Sequence, residues 1–586
     1  MGKKQSKFSW AFVLLLTLSM VNLMMMHFLQ QREGILEAGL VRVSWVNCLI
    51  SCLLDVTVLY LLSLLVMLLN RSRALALTFV LTWLISIFNV FYGRFFGAYL
   101  PLTAVTEVRN LTDGSLLSAT FAAIRPVDIY YPIALAVFIP AYRFLSKKVH
   151  GAFLSLGVMW LAYLLLMCPA YYNYTTHSTE SFAELFQTHM LPEKISRQLH
   201  PSRFIFNTGL VRGSWADAIG GLFPKHLTPE EESAIELASD PSLHGTLERT
   251  ALPQVNNVIF ILVESYLSMV SDMKVGDVEV TPFLNRLRHS EGVYYNGQVK
   301  VNITLGESAD GQLIYMTGLL PLRGEISVSR ILGKALPGLP EVMGYAPSHS
   351  RIIIPTKPSL WQQDHVSRSY GFGQMLSRLD APKEWNADWL LNDEQIFTMA
   401  RQMGDENTPE PFFSLILTFS MHSPYVQVPD YIEGVDFSAA KEEYSEKFCN
   451  YLACCHYTDA RMEEYFDYLK ESGLYDKSLI VIISDHQAHD NLMDLTGQLS
   501  WDIPLYIVNG GIRSASSDGP GAPAWDGPCN QVDVYPTILD IMGSQSQWRG
   551  LGCSLLMDPW QDYANDQMWS VSEDIIYANY FKGAGY

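Results

Sequence analysis

Residues 255–265, VNNVIFILVES, decide the fold of the larger part of this chain. The apolar run from Val258 to Val263 is unbroken and stops at Glu264. A strand with one face in water alternates apolar and polar residues. A strand covered on both faces does not, and such runs rich in Val and Ile belong to parallel sheets with helices on both sides. Three later stretches share the form. SLIVIISDH at 478–486 ends in Asp485 and His486, PFFSLILTFSMH at 411–422 ends in His422, and IPLYIVNGG covers 503–511. Helical patterns lie between them, as in YTDARMEEYFDYLKESG at 457–473. Strands alternating with helices predict an α/β domain built on a covered sheet.

Such sheets place their sites beyond the carboxyl ends of the strands. Three of the runs end there in Glu264, His422 and the pair Asp485–His486. Carboxylate and imidazole donors suit a borderline divalent cation. The segment NITLGESADGQLIYMTGLLP at 302–321 supplies hydroxyls in Thr304, Ser308 and Thr317. Gly306 permits a tight turn, and ESADGQLI can open a helix. A hydroxyl at a helix start would lie beside unsatisfied N–H groups suited to a phosphoryl oxygen, and a metal would lower its pKa. Spacing alone leaves Thr304 and Ser308 equally eligible as nucleophile.

Before about residue 170 the sequence is of another kind. Five apolar segments, roughly 9–28, 45–69, 74–93, 126–145 and 151–170, approach the ~20 residues that cross ~30 Å of hydrocarbon. The first follows Lys3, Lys4 and Lys7 and runs through Met24–Met26 to Phe28 with no small-residue cleavage site, so it reads as an uncleaved span. Arg71, Arg73, Arg143, Lys147 and Lys148 fall on the same side as those lysines if there are five spans. The positive-inside rule makes that side the cytoplasm and puts the remainder outside. Asp55, within the second span, is expected to pair with a Ser or Tyr of the bundle. The stretch LLSATFAAI, in the loop 94–125, is expected on the bilayer surface.

Between the halves, THSTESFAELF reads as a short amphipathic helix. LTPEEESAIELA reads as a helix capped by Thr228, with Pro229 in its first turn. The predicted domains are therefore 1–171, five spans; 172–250, a helical juxtamembrane linker; and 251–586, the catalytic domain. The net charge of -19 among 586 residues, without a basic stripe, argues against a nucleic-acid surface. Cys449, Cys454, Cys455, Cys529 and Cys553 form no CxxC pair, and disulfides or buried thiols are equally open for them.

The chain resembles the lipoteichoic acid synthase and phosphoglycerol transferase branch of the alkaline phosphatase–sulfatase superfamily. Glu264-Ser265-Tyr266 matches the family's metal-binding glutamate, and Thr281-Pro282-Phe283-Leu284-Asn285 a second element. Gly306-Glu307-Ser308-Ala309-Asp310 matches the nucleophile segment, with Ser308 where the family usually has threonine and Glu307 where it has lysine. Asp485-His486 matches the metal pair. Met421-His422-Ser423-Pro424-Tyr425 matches the substrate-side histidine, and Val532-Asp533 through Asp540 a later element. Gly93-Arg94-Phe95-Phe96 is similar to the family's second outer loop. One departure is Trp361-Gln362-Gln363, where the family's Trp-Asn-Arg would put a phosphate-binding arginine at Gln363; Arg368 and Lys357 are the nearby cations. The sulfatase motif Cys/Ser-x-Pro-x-Arg is missing after Ser308, so sulfate ester hydrolysis is not expected.

The resemblance implies a five-helix transmembrane domain followed by an extracytoplasmic sulfatase-like α/β domain in a bacterial cytoplasmic membrane. It implies Glu264, Ser308, Asp485 and His486 around one Mn²⁺ or Zn²⁺ ion, Ser308 and His422 in catalysis, and Trp361, Gln363 and His422 at the substrate. The implied reaction moves phosphoglycerol from a phospholipid donor to a glycan or glycolipid acceptor through phospho-Ser308. Phosphoethanolamine transfer and phosphodiester hydrolysis are the alternatives, and a non-catalytic envelope scaffold is the reading outside enzymes.

Overall fold

The first four N-terminal apolar runs are helices: α1 Trp10–Arg32, α2 Trp45–Val66, α3 Arg71–Phe96 and α4 Tyr130–Leu145. The computed structural model describes residues 10–32, 45–96, 99–100, 124–149, 205, 209–211, 225–245, 251–323, 326–385, 390–405, 407–435, 437, 444–488, 500–557 and 566–582. The chain divides into two units, Met1–Pro224 and Lys225–Tyr586. Among the described residues four helices are long and apolar enough to cross a membrane: Trp10–Arg32, Cys48–Val66, Arg71–Arg94 and Pro126–Lys148. The expected fifth span at 151–170, the THSTESFAELF helix and nearly all of LLSATFAAI lie outside the described residues.

In hydrocarbon a helix satisfies its own backbone, so polar side chains turn inward to one another. Asn22 donates to Thr82 Oγ1 at 3.2 Å and accepts from the Tyr130 hydroxyl at 2.8 Å. The two oxygens of Asp55 accept the backbone N–H groups of Leu210 and Val211 at 2.7 and 3.0 Å. Amides at the start of a helical turn need acceptors, and a buried carboxylate needs donors. Gly93-Arg94-Phe95-Phe96, by contrast with the resemblance, does not form a loop. It closes α3, and Arg94 grips both oxygens of Asp128 at 2.7 and 2.8 Å.

The second unit opens on α5, Pro229–Ala238, capped by Thr228 as expected from the sequence, with Glu231 returning a bond to the Thr228 N–H. Its centre is an eight-stranded sheet. The strands are β1 Asn257–Val263, β2 Val293–Lys300, β3 Ser350–Ile353, β4 Gln374–Leu376, β5 Phe413–Leu417, β6 Ser478–Ser484, β7 Ile503–Val508 and β8 Cys529–Asn530. They lie in the order β8-β2-β7-β6-β1-β5-β3-β4. The run at 255–265 supplies β1, buried at every position between parallel β5 and β6. Val263 pairs with Ser484, which sets the next residues, Glu264 and Asp485, side by side beyond the sheet.

The fourth run departs from the parallel expectation. β7 is antiparallel to both neighbours, β2 and β6. An apolar run buried on both faces reads the same in either direction, so composition could not fix its sense. Reversed, β7 points its carboxyl end away from the site. Five other helices complete the scaffold used below: α6 Pro282–Leu287, α7 Ser308–Thr317, α8 Gln363–Ser369, α9 Glu446–Glu471 and α10 Val534–Ile541. Ser445 caps α9, and Asp459 on α9 accepts the N–H groups of Phe283 and Leu284, both at 2.8 Å, so it holds the start of α6.

Cys449, Cys454, Cys455, Cys529 and Cys553 are buried and unbridged. The carboxylate of Asp540 on α10 meets the guanidinium of Arg549, and neither side chain has solvent exposure. Removing one partner strands the other charge in the core. Asp540→Ala is therefore expected to destabilise the unit by about 3–5 kcal/mol, measured by denaturant unfolding. Replacing the pair with apolar residues of matched volume should cost much less.

Candidate metal centre and nucleophile

Strand register brings the first two carboxylates together, and local hydrogen bonds aim them. Ser265, in the left-handed region at φ 52°, turns the chain sharply after Glu264. Its hydroxyl donates to Glu264 Oε1 at 2.7 Å, and its N–H donates to Asp485 Oδ1 at 2.9 Å. The Glu264 N–H donates to Thr418 Oγ1 on the segment leaving β5. The His486 N–H also donates to Asp485 Oδ1, at 2.8 Å. Ring nitrogen Nδ1 of His486 lies 2.6 Å from the Gln487 carbonyl, which fixes the proton there and presents Nε2 to the cluster. Nε2 is then 3.5 Å from both Glu264 Oε1 and Asp485 Oδ2.

Donor atoms of Glu264, Asp485 and His486 all lie within 4.8 Å of one another, and all three residues are buried. Burial, and then the Asp485 charge, push Glu264 well above the usual carboxylate range. Burial alone would lower His486; Asp485, Glu264 and Glu307 outweigh it and raise the imidazole to about 9. Two carboxylates and one imidazole, oriented by surrounding donors, fit a single divalent cation.

The hydroxyl is Ser308. Its Oγ lies 3.2 Å from His486 Nε2 and 3.5 Å from Glu264 Oε2, at the first position of α7. Thr304 is committed elsewhere: Oγ1 lies 2.8 Å from Asp310 Oδ2 and 2.7 Å from the Leu322 carbonyl. The two hydroxyls that spacing leaves equally eligible thus have different partners. Gly306 begins a tight turn, its carbonyl accepting the Ala309 N–H at 2.9 Å. A Cβ there would strike the Asp310 carboxylate, which also accepts the Gly306 N–H at 2.8 Å. The left-handed residue is its neighbour Glu307, at φ 44°. In the first turn of α7 the Ala309 and Asp310 N–H groups donate to the Gly306 and Glu307 carbonyls.

A side chain with a Cβ at φ 44° stores about 1–3 kcal/mol of strain. Glu307→Gly is expected to stabilise the unit by about 1 kcal/mol net, after the added freedom of the unfolded chain. Equilibrium unfolding would show it as a higher midpoint.

Asp310, Gly311 and Gln531 went unread in the sequence. Buried Asp310 accepts from Thr304, Gly306 and Ser327, and so shapes the turn before Ser308. Burial raises its pKa despite those donors. Gln531 donates to the backbone carbonyl of Asp485 at 2.8 Å and to the Tyr315 hydroxyl at 2.9 Å, tying β6 to α7. The Asp-Gly pair after Ser308 was a signal, since a buried acid beside a glycine in a helix start marks close packing.

The other expected residues occupy a second tier. Gln363 is buried at the start of α8 and donates to Gln312, one turn after Ser308, at 3.1 Å. Trp361 and Gln362 precede it in the left-handed region, at φ 51° and 49°. Arg368 is exposed on the same helix. His422 holds Nδ1 2.6 Å from the Ser423 carbonyl, the device used by His486, and stacks on Phe419 with centroids 4.5 Å apart.

Residues 256–544 match the family model described as Sulfatase. The chain is 23% identical over 517 residues to lipoteichoic acid synthase 2 of Bacillus subtilis, covering 81% of this chain and 72% of that protein. It is 24% identical over 535 residues to the lipoteichoic acid synthase of Staphylococcus saprophyticus, covering 86% and 77%. Among solved structures, the integral membrane lipooligosaccharide phosphoethanolamine transferase A of Neisseria meningitidis shares the fold. Its TM-score is 0.51 at 12% identity, over 92% of this chain and 98% of that one.

Proposed function

We propose, from the premise that the chain belongs to the alkaline phosphatase–sulfatase superfamily and is a membrane-anchored phosphotransferase, that it transfers phosphoglycerol from a membrane phospholipid to a glycan or glycolipid hydroxyl. The observation that carries the reading is the Ser308 hydroxyl, 3.2 Å from His486 Nε2 and 3.5 Å from Glu264 Oε2 at the mouth of a buried donor cluster. Its relatives in Bacillus subtilis and Staphylococcus saprophyticus are named lipoteichoic acid synthases, which supports phosphoglycerol as the group moved.

Glu264, Asp485 and His486 would hold one divalent cation, Mn²⁺ or Zn²⁺, with Ser308 beside it. Such a cation, when bound, lowers the pKa of the neighbouring hydroxyl and draws charge from phosphoryl oxygens. Ser308 Oγ then attacks phosphorus and loses its proton. The bond from phosphorus to the diacylglycerol oxygen breaks, and diacylglycerol leaves with a proton. Phosphoglycerol stays as an ester on Ser308. In the second half an acceptor hydroxyl attacks the same phosphorus and Ser308 leaves with a proton restored. His422, whose Nδ1 is turned to the Ser423 carbonyl, is the candidate to bind donor or move the acceptor's proton. Trp361 and Gln363 would border the headgroup. The helices of the first unit would anchor the chain as a multi-pass protein of a bacterial cytoplasmic membrane, with the catalytic unit outside.

The test is donor turnover in vesicles with Mn²⁺ or Zn²⁺ supplied, followed by mass measurement of the group on Ser308. Phosphoglycerol on Ser308 is the expected adduct. Phosphoethanolamine would replace the donor assignment, and turnover without an acceptor or an adduct would sink the transfer reading.

A further inference from the structure

The first unit contains a second set of metal-binding side chains. His27, Cys48 and Cys52 bring donor atoms within 4.8 Å of one another, and none of the three has solvent exposure. We propose that these residues form a Zn²⁺ site at one end of the helix bundle. The register supports it. Cys48 and Cys52 are one turn apart near the start of α2 and share a face. His27 stands near the end of α1 and reaches the same point. The site therefore joins the last turns of one span to the first turns of the next.

The surroundings orient the imidazole. His27 Nδ1 lies 2.5 Å from the Tyr99 hydroxyl, so Nε2 is the nitrogen that would ligate. A partner on the other ring nitrogen is the usual companion of a ligating histidine. Asp55, one turn beyond Cys52, belongs to another task, since its oxygens accept the Leu210 and Val211 N–H groups.

Charge selects the cation. Binding Zn²⁺ forms two bonds to sulfur and one to nitrogen while two thiol protons leave to solvent, with no oxidation. Two thiolates then cancel the two positive charges, and a neutral cluster is the form that is cheap to hold in apolar surroundings. Cu⁺ would leave a net negative charge. Mg²⁺ and Ca²⁺ prefer oxygen donors. Three protein donors leave the fourth tetrahedral position to a small ligand such as water.

The test uses the full-length chain in detergent, stripped of metal and carrying Asp485→Asn and His486→Gln, so that the centre near Ser308 is disabled. Titration with Co²⁺ is expected to fill about one site per chain and give a thiolate-to-cobalt charge-transfer band. Zn²⁺ should displace it. Adding Cys48→Ser and Cys52→Ser should abolish the band, while His27→Gln should keep it and weaken Co²⁺ at least about tenfold. A missing band, or one unchanged by the cysteine changes, overturns the proposal; stoichiometric Cu⁺ binding that Zn²⁺ cannot compete with overturns the zinc assignment. If the double cysteine variant does not fold, His27→Gln decides, and unchanged Co²⁺ affinity there overturns the site.

Discussion

Ser308→Ala is expected to lower transfer by about 10⁴-fold or more and to leave no phosphorylated enzyme. The size follows from the position of the hydroxyl. It is the oxygen that lies between His486 Nε2 and Glu264 Oε2, and the methyl of alanine offers no lone pair. Folding should survive, since Ser308 is only half-buried at the edge of α7 and its removal opens no core cavity. Thr304→Val is the informative contrast. It removes the bond to Asp310 and the bond to Leu322, so a loss of about 1–3 kcal/mol in stability is expected, with the adduct still on Ser308. An adduct that persists in Ser308→Ala and vanishes in Thr304→Val would transfer the role to Thr304.

Gly311→Ala is expected to disable the centre without replacing any proposed ligand. A methyl at Gly311 would run into the backbone carbonyl of Asp485, which lies just past the end of β6 and cannot swing aside like a long side chain. The same carbonyl is already fixed by Gln531. The helix must therefore lift from the strand end, and Ser308, one turn back on α7, lifts with it. A displacement of about 1 Å at reacting groups costs on the order of 10²-fold in rate. Steady-state transfer and metal affinity should fall together, since Ser308, Asp485 and His486 move apart. Gly311→Ala with wild-type turnover and wild-type metal affinity would mean that α7 does not set the distance.

Much of this was legible because parallel strands carry their information at their ends. β1 and β6 are neighbours, so two runs that each stop at acidic or imidazole residues deliver Glu264, Asp485 and His486 to one place. Runs buried on both faces announce a covered sheet for the same reason. What periodicity does not record is partnership. Nothing in the spacing of Thr304 and Ser308 says that one faces Asp310 and the other His486. The direction of β7 is hidden too, because its composition is symmetric under reversal. Spacing is equally silent on the two amides that Asp55 accepts, 155 and 156 residues away along the chain. It does not show either that the space beside Gly306, where a Cβ would sit, is filled by the Asp310 carboxylate.

The brace from Gln531 to the Asp485 carbonyl carries a consequence for the order of events as the chain is made. Glu264 emerges early, Ser308 soon after, and Asp485 only after some two hundred more residues; the amide that steadies Asp485 comes later still. Pairings so distant in sequence form slowly and late. β6 cannot be secured at its end, nor β2 gain its outer neighbour β8, until the segment around Cys529–Gln531 arrives. A growing chain thus holds its donors and its hydroxyl unassembled until that segment docks. The capacity to bind metal at the centre and to accept a phosphoryl group should appear together, in one late step of folding.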